Sequence, residues 1–496
     1  MALPMLDLVT HDDASHRSPA INIAGARILT YADLAELVGS FERSLRIDGK
    51  ALVLCAGDRD LPTLLAYLAA LRLGHTVAFL PATAEILAAY QPEFVVPAPG
   101  PKFSESGYDI TGDGEIPVFR RRAREPAHDI NPHTGLLLAT SGSTGNPKAV
   151  RLTYSGLAEN TAAIIRALGV TPVERAATTL PITHAYGLSV LNTHLLAGAS
   201  IMLSDRSPVS LAMWDQMIRG GATSLAAVPT TYAAFNRAHL DLLARTEIRT
   251  MTQSGARLGD ELTMRLVRML EPRRGRFFVM YGQTEATARM TCLDPADLPQ
   301  WLGSVGVAVP GATITIGPAP EHDRARPGEG AVLYRGPGIM LGYATGRADL
   351  GRGAEVDVLD TGDLGYLRDG YLYLTGRTKR IAKVLGLRTS LDDLERMVER
   401  PGQPAAVICG DDDVVYLVGA GDPAVHEEQR RQLASSLGLP SRHVVFRAVD
   451  RLPQTPGGKV DYRALTAVTE TRGRSDGGAD ELATAIRPGT RSGSVP

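Results

Sequence analysis

Cysteine is nearly absent: Cys55, Cys292 and Cys409 are the only three among 496 residues. An odd, widely spaced set with no paired ligand spacing excludes a disulfide framework or a zinc knuckle, and it points to a reducing, cytoplasmic setting. Lysine is also scarce. Of 52 basic residues only Lys50, Lys102, Lys148, Lys379, Lys383 and Lys459 are lysine. Where arginine is the rule, a retained lysine marks a candidate for chemistry rather than for general surface charge. No apolar run reaches the roughly 18 residues of a membrane-spanning helix. The N-terminal stretch, with Asp7, His11, Asp12 and Asp13, has no continuous apolar core of an export signal. No membrane partner is therefore expected. Large charge of either sign is missing too, since the formal net charge is -2, which removes the electrostatic reason to expect a nucleic-acid partner.

A chain of this length holds roughly three domains' worth of material. Ala51–Cys55 and Thr76–Leu80 are short apolar runs that predict buried strands. Between them, Leu61, Leu64, Leu65, Leu68, Leu71 and Leu73 recur at mostly helical spacing, with Gly74 as the stop. This alternation predicts an α/β layer architecture, with the leucine stripe in the core. From Pro99 to Pro132 proline, glycine and charge increase, and this segment, including Arg120–Arg122, is expected on the surface.

Leu136–Thr140 predicts another buried strand, and at its end stands Thr140-Ser141-Gly142-Ser143-Thr144-Gly145-Asn-Pro-Lys148. Glycines let backbone N–H groups converge, hydroxyls add donors and the lysine adds a mobile positive charge, a combination suited to polyphosphate. The P-loop of common nucleotide hydrolases is excluded, because Pro147 precedes Lys148 and Ala149 follows it. Phe277–Tyr281 is strand-like and leads into Gly282-Gln283-Thr284-Glu285, a carboxylate at a strand end. Asp363 closes Leu359-Asp-Thr-Gly-Asp363, and Gly370–Arg377 predicts a hairpin strand ending in Gly-Arg. Taken singly, Glu285 or Asp363 is as well explained as a helix cap or turn residue.

Taken together and in this order, these segments resemble the acyl-adenylate-forming superfamily of acyl-CoA synthetases, aryl-acid ligases and peptide-synthetase adenylation domains. The resemblance adds two further segments, Gly376-Arg377-Thr-Lys379-Arg-Ile-Ala-Lys383-Val-Leu-Gly386-Leu-Arg388 and Pro453-Gln-Thr-Pro-Gly-Gly-Lys459, and runs from about Thr30 to Leu465. It implies an α/β fold: a large N-terminal domain, 1–376, of helix-flanked β-sheets with a small β-barrel. A small mobile α+β lid, 377–468, would follow it. A tail, 469–496, rich in Gly, Arg and Ser, is expected to be disordered.

The resemblance also assigns roles. ATP would bind with its β- and γ-phosphates on Thr140–Lys148, Mg²⁺ on Glu285, the α-phosphate on Thr284, the ribose hydroxyls on Asp363 and the adenine face on Tyr281. Gly282 and Gln283 would complete that segment, Arg377 would lie near ribose and phosphate, and Ser254-Gly255-Ala256 would line the acid and adenine sites. Lys459 would bridge the substrate carboxylate and the α-phosphate, and the lid would turn about Lys379. His184, within Leu180-Pro-Ile-Thr-His184-Ala-Tyr-Gly187, would stand beside the small-molecule carboxylic acid. Amino-acid adenylation domains usually carry aspartate there, so His184 argues against an α-amino acid. The acyl acceptor is expected to be the thiol of CoA or of a carrier protein's phosphopantetheine. An amine is the alternative, favoured by a lid on the short side. Two readings of other classes remain: a non-catalytic adenylate-binding homologue, disfavoured by the presence of Lys459, Glu285 and Asp363, and a plain nucleotide hydrolase, which would cleave ATP without an acid and does not need Lys459.

Overall fold

The computed structural model describes residues 17–24, 27–97, 107–111, 116–123, 128–139, 148–318, 326–384, 387–400, 402–410, 414–437, 439–455 and 459–470. The chain divides into two compact units, Met1–Lys379 with Pro456–Lys459, and Arg380–Thr455 with Val460–Pro496.

Two large sheets and a smaller four-stranded one lie in the first unit. In the nine-stranded sheet the order is Val307–Ala308, Thr291–Leu293, Arg276–Tyr281, Thr250–Gln253, Ser224–Ala227, Arg175–Ala177, Ser200–Leu203, Pro19–Ile23 and Arg27–Thr30. Its centre is parallel, with Thr250–Gln253 flanked by Ser224–Ala227 and Arg276–Tyr281. The eight-stranded sheet centres on Thr134–Ala139, Thr76–Phe79 and Leu52–Cys55, all parallel. Such strands are covered on both faces and so read as uninterrupted apolar runs. This is why Leu52–Cys55 and Thr76–Phe79 are buried at every position.

The leucine stripe forms the helix Leu61–Arg72, opened by the Asp60 carboxylate accepting from Thr63 N and followed by Gly74 at φ +73°. One apolar cluster joins Val53 and Leu138 of the eight-stranded sheet, Ile201 and Leu203 of the nine-stranded sheet, and Leu64, Leu68, Leu191 and Leu195 of the helices. The core therefore lies between the sheets. Part of the segment expected on the surface is instead strand: Tyr108–Thr111 and Val118–Arg121 extend the edge of the eight-stranded sheet. Arg121 turns inward to Glu93 at 3.6 Å, whereas Arg122 stays exposed on Asp109.

Where a small barrel was expected, the strands Thr313–Ile316, Gly330–Arg335, Leu359–Arg368 and Tyr371–Arg377 form an antiparallel sheet. It is fastened to the segment between Thr291–Leu293 and Val307–Ala308 of the nine-stranded sheet. Val305 N donates to Leu372 O and Leu372 N to Gly306 O, each at 2.9 Å. The rings of Trp301 and Tyr371 stack 4.2 Å apart.

The second unit is α+β. Strands Ala405–Cys409, Val415–Gly419 and Val444–Ala448 make one sheet against helices Leu391–Val398 and Pro423–Leu437. At its start Arg380 donates to Glu395 at 2.8 Å and to Asp392 at 2.5 Å, and its guanidinium lies 3.7 Å from the ring centre of Tyr462. The Tyr462 hydroxyl donates to the other Glu395 oxygen at 2.9 Å. The tail beyond Glu470 lies outside the described residues, as do Thr140–Pro147 of the glycine-rich loop.

Candidate active site

Adjacent parallel strands end side by side, and the carboxyl ends of such strands are where an α/β sheet opens a crevice. Ser224–Ala227, Thr250–Gln253 and Arg276–Tyr281 are three such neighbours. Val228, Ser254-Gly255-Ala256 and Gly282–Glu285 leave from these ends. Ser254 is buried, and the side chain of Gln253 donates to Ala256 O at 2.5 Å, holding the turn. Gly255 has φ +101°, a conformation other residues resist. A Cβ added there would lie 3.3 Å from Val228 Cγ1 and 3.8 Å from Lys459 Cε. Lys459 thus runs over the strand-end glycine. The surrounding protein lowers its pKa, chiefly by desolvation and further through Arg377, while Asp363 and Glu285 oppose the shift. Lysine, two carboxylates and an arginine therefore share one electrostatic environment.

Gly282 is required by contact rather than by φ, because a Cβ would fall 1.7 Å from Ala288 O. Thr284–Ala286 form one 3₁₀ turn, followed by Thr287 and Ala288 at φ 57° and 101°. Non-glycine residues in this region are strained, and such strain collects at functional sites. The Thr287 hydroxyl holds the turn by donating to Gly338 O at 2.5 Å.

Asp363 and Arg377 face each other across the antiparallel pair of the four-stranded sheet. Arg377 Nε donates to Asp363 Oδ1 at 3.0 Å, and the Tyr281 hydroxyl donates to Oδ2 at 2.5 Å. Tyr281 is buried, and burial, followed by the negative charge of Asp363, raises its phenol pKa well above the ordinary value. Each carboxylate oxygen keeps a second lone pair for a ligand donor. The sequence reading used only the Tyr281 ring face and missed the hydroxyl's part in orienting Asp363.

Sequence reasoning also missed Tyr343. Its hydroxyl donates to Glu285 Oε1 at 2.9 Å, and Lys148 Nζ lies 5.7 Å from its ring centre. Tyr343 reaches this position because Gly342–Ala344 pairs with Ala149–Thr153, the strand that Lys148 opens. Nothing in local sequence signals that pairing. Among the described residues no cluster of three or more His, Cys, Asp or Glu could cage a metal. Glu285, partly exposed and with one oxygen engaged by Tyr343, suits Mg²⁺, which takes one or two carboxylates and fills the rest of its shell with water and phosphate oxygens.

His184 is the N-cap residue of the helix Ala185–Leu196 and makes no side-chain capping bond. Desolvation lowers its pKa, Asp58 raises it and Lys459 lowers it again. The imidazole is thus biased toward its neutral form and lies within electrostatic reach of Lys459. The described residues bring His184, Ser254, Gly255, Tyr281, Gly282, Glu285, Asp363, Arg377, Lys148 and Lys459 into the larger unit. Thr140–Gly145 and the side chain of Lys379 lie outside the description. No helix among the described residues is long and apolar enough to cross a membrane.

Comparison with known proteins adds an independent finding. Residues 10–344 match the family described as AMP-binding enzyme. The non-ribosomal peptide synthetase CmlP of Streptomyces venezuelae is 28% identical over 96% of this chain and 50% of its own length. The indoleacetate–CoA ligase of Aromatoleum aromaticum is 30% identical over 69% of each chain. The chain thus spans half the length of the former relative and somewhat over two thirds of the latter. Among solved structures, the anthranilate CoA ligase AuaEII in complex with anthranoyl-AMP superposes with TM-score 0.73 at 16% identity, over 95% of this chain and 99% of that one. The o-succinylbenzoate CoA synthetase MenE of Bacillus subtilis, in complex with its acyl-adenylate, gives 0.71 at 21% identity over 94% and 98%. These structures share the fold.

Proposed function

We propose, since the chain belongs to the AMP-binding enzyme family, that it joins ATP and a small carboxylic acid into an acyl-adenylate and then transfers the acyl group to the thiol of CoA or of a phosphopantetheine. The observation that carries this reading is the convergence at the strand ends. Lys459 lies over Gly255, and its charge is felt by, and feels, Glu285, Asp363 and Arg377.

In the first step an oxygen of the acid attacks the α-phosphorus, the bond to the bridging oxygen breaks, and pyrophosphate leaves with that electron pair. The two reactants are both anions. At about 4 Å, like unit charges repel by roughly 4 kcal/mol at an effective dielectric of 20. Lys459 offsets this repulsion at the point where it arises, and it fixes the angle of approach. Asp363, held by Tyr281 and Arg377, presents fixed acceptors to the ribose, and Thr284 a donor to the α-phosphate. Glu285, oriented by the Tyr343 hydroxyl, would hold Mg²⁺, which would supply charge neutralisation to the phosphates. Neutral His184 would orient the acid without adding a second cation that competes with Lys459. Turning of the 377–468 region about Lys379 would then withdraw Lys459 and admit the thiol. The CoA-ligase relatives support a thiol acceptor.

The test is acid-dependent pyrophosphate release across aliphatic, aryl and heteroaryl acids, for the native chain and for Lys459→Ala. Release that requires an acid and falls at least about 100-fold in the variant is the expected result. Release indifferent to Lys459 would refute the assignment. Product analysis with CoA, a loaded carrier protein and simple amines then fixes the acceptor. Amide without thioester would replace the thiol by an amine.

A further inference from the structure

The side chain of Arg151 is fully buried, and the chemistry above makes no use of it. Burying a guanidinium is costly unless partners meet its donors and its charge. Here Nη1 donates to Arg352 O at 2.5 Å, while Nη2 donates to Leu341 O at 3.4 Å and lies 3.0 Å from Glu355 Oε2. Only Nε lacks a hydrogen-bond partner among the described residues. The other Glu355 oxygen is 3.7 Å from Arg352, so that carboxylate is flanked by two cations. Backbone bonds close the same junction, from Leu341 N to Arg151 O and from Glu355 N to Leu341 O, each at 2.8 Å. Arg151 thus joins its own strand, Ala149–Thr153, to residues 341–342 and to residues 352–355.

The strand held in this way has few ladder bonds of its own. Gly342–Ala344 is three residues long and lies at the edge of the eight-stranded sheet. Gly342 stands opposite Arg151, and Tyr343 opposite Val150. Opposed residues share a face and neighbours along a strand alternate, so Arg151 and Gly342 take one face and Tyr343 the other. Gly342 has φ +143°, and a Cβ there would fall 2.0 Å from Glu355 Oε2 and 2.7 Å from Arg151 Nη2. The ion pair therefore fills space that only a glycine leaves. A slip of one residue would bring Leu341 or Tyr343 against Arg151 and would turn Tyr343 to the wrong face.

The face that Tyr343 takes is the one that meets the candidate metal ligand. Met340 N donates to Glu285 O and the Tyr343 hydroxyl to Glu285 Oε1, each at 2.9 Å. Lys148, which opens the strand carrying Arg151, lies 5.7 Å from the Tyr343 ring centre. The register that Arg151 and Glu355 select is thus the register in which Tyr343 reaches Glu285.

We infer that Arg151 and Glu355 are positioning residues: by setting the register of Gly342–Ala344 they aim Tyr343 at Glu285 and hold that carboxylate ready for a divalent cation. The inference rests on the reading of Glu285 as the Mg²⁺ ligand.

The test is Mn²⁺ binding, followed by loss of the free ion's paramagnetic resonance signal, to the chain with a non-hydrolysable ATP analogue and no acid, so that turnover plays no part. The variants are Glu285→Gln, Tyr343→Phe, Glu355→Ala, and Glu355→Ala combined with Tyr343→Phe. Tyr343→Phe and Glu355→Ala should each weaken binding by about 3- to 10-fold, the low end of what losing a partner of a metal ligand costs. The double variant should bind no more weakly than Tyr343→Phe alone, because the pair acts through that hydroxyl. A general structural role would lower Tm and leave Mn²⁺ affinity where it was. Unchanged affinity in Glu355→Ala or in Tyr343→Phe, or additive losses in the double variant, overturns the inference, and Glu285 stands as the ligand if Glu285→Gln abolishes binding. Binding indifferent to Glu285→Gln overturns the metal assignment and the inference with it. The Glu355 side chain is 41% exposed, so its variant is expected to fold. If it does not, Arg151→Lys, which keeps the charge and loses the fork, takes its place with the same expected loss and the same refuting results.

Discussion

Replacing Tyr281 by Phe removes one hydroxyl from the candidate nucleotide site and leaves the ring in place. That hydroxyl donates to Asp363 Oδ2 at 2.5 Å, and both residues are buried. A hydrogen bond to a charged acceptor contributes about 1.5–3 kcal/mol. Asp363 keeps Arg377 on its other oxygen, but the Arg377 side chain is 58% exposed, so solvent screens that pair and it compensates little. The expected loss is about 2 kcal/mol, seen as a fall of roughly 2–3 °C in Tm for a unit of this size. Since a freed carboxylate no longer points one way, nucleotide affinity should also fall, by about 3- to 10-fold. Chemical unfolding measures the first effect, and titration with a non-hydrolysable ATP analogue the second. A variant within about 0.5 kcal/mol of native and with unchanged affinity would refute the claim that Tyr281 positions Asp363.

Tyr343→Phe should raise the Mg²⁺ concentration needed for half-maximal pyrophosphate release by about 3- to 10-fold, the effect of losing one hydrogen bond to a ligand carboxylate, with the KM for the acid unchanged. Gly282→Ala forces a Cβ to 1.7 Å from Ala288 O and should destabilise the chain by more than about 3 kcal/mol, read as lost soluble expression or a lowered denaturation midpoint. His194 has a folded pKa of about 4 against an ordinary 6.5, so between those values the unfolded chain binds more protons. Its contribution to stability is complete above pH 6.5 and is lost as pH falls toward 4, amounting to about 3 kcal/mol. Unfolding at pH 7 and pH 5 should show a slope that is reduced in His194→Asn, and an equal slope would refute the assignment.

Much of the larger unit was legible because its central strands are short apolar runs ended by glycine or polar turns. Leu52–Cys55, Thr76–Phe79, Thr134–Ala139 and Arg276–Tyr281 each stand within a residue or two of expectation. The site was legible where its residues sit at strand ends within one segment, as in Ser254-Gly255 and Tyr281–Glu285. It was not legible where residues distant in sequence meet across strand pairs. Tyr343 reaches Glu285 over 58 residues and the Tyr281 hydroxyl reaches Asp363 over 82, and no local pattern records either. Arg121 shows the same limit: an arginine run looks like solvated surface, and only the placement of Glu93 draws its middle member inward.

The fastening of the four-stranded sheet has a consequence for how the larger unit opens. Val305 and Gly306 exchange backbone hydrogen bonds with Leu372, Trp301 stacks on Tyr371, and Tyr281 reaches Asp363 across the same boundary. Sheets joined this way form one cooperative unit, and amides within such a unit exchange with deuterium through a shared opening event. Leu364 and Met280 belong to different sheets and lie far apart in the chain, yet their amide protons should exchange at similar rates. Bound nucleotide should slow both together.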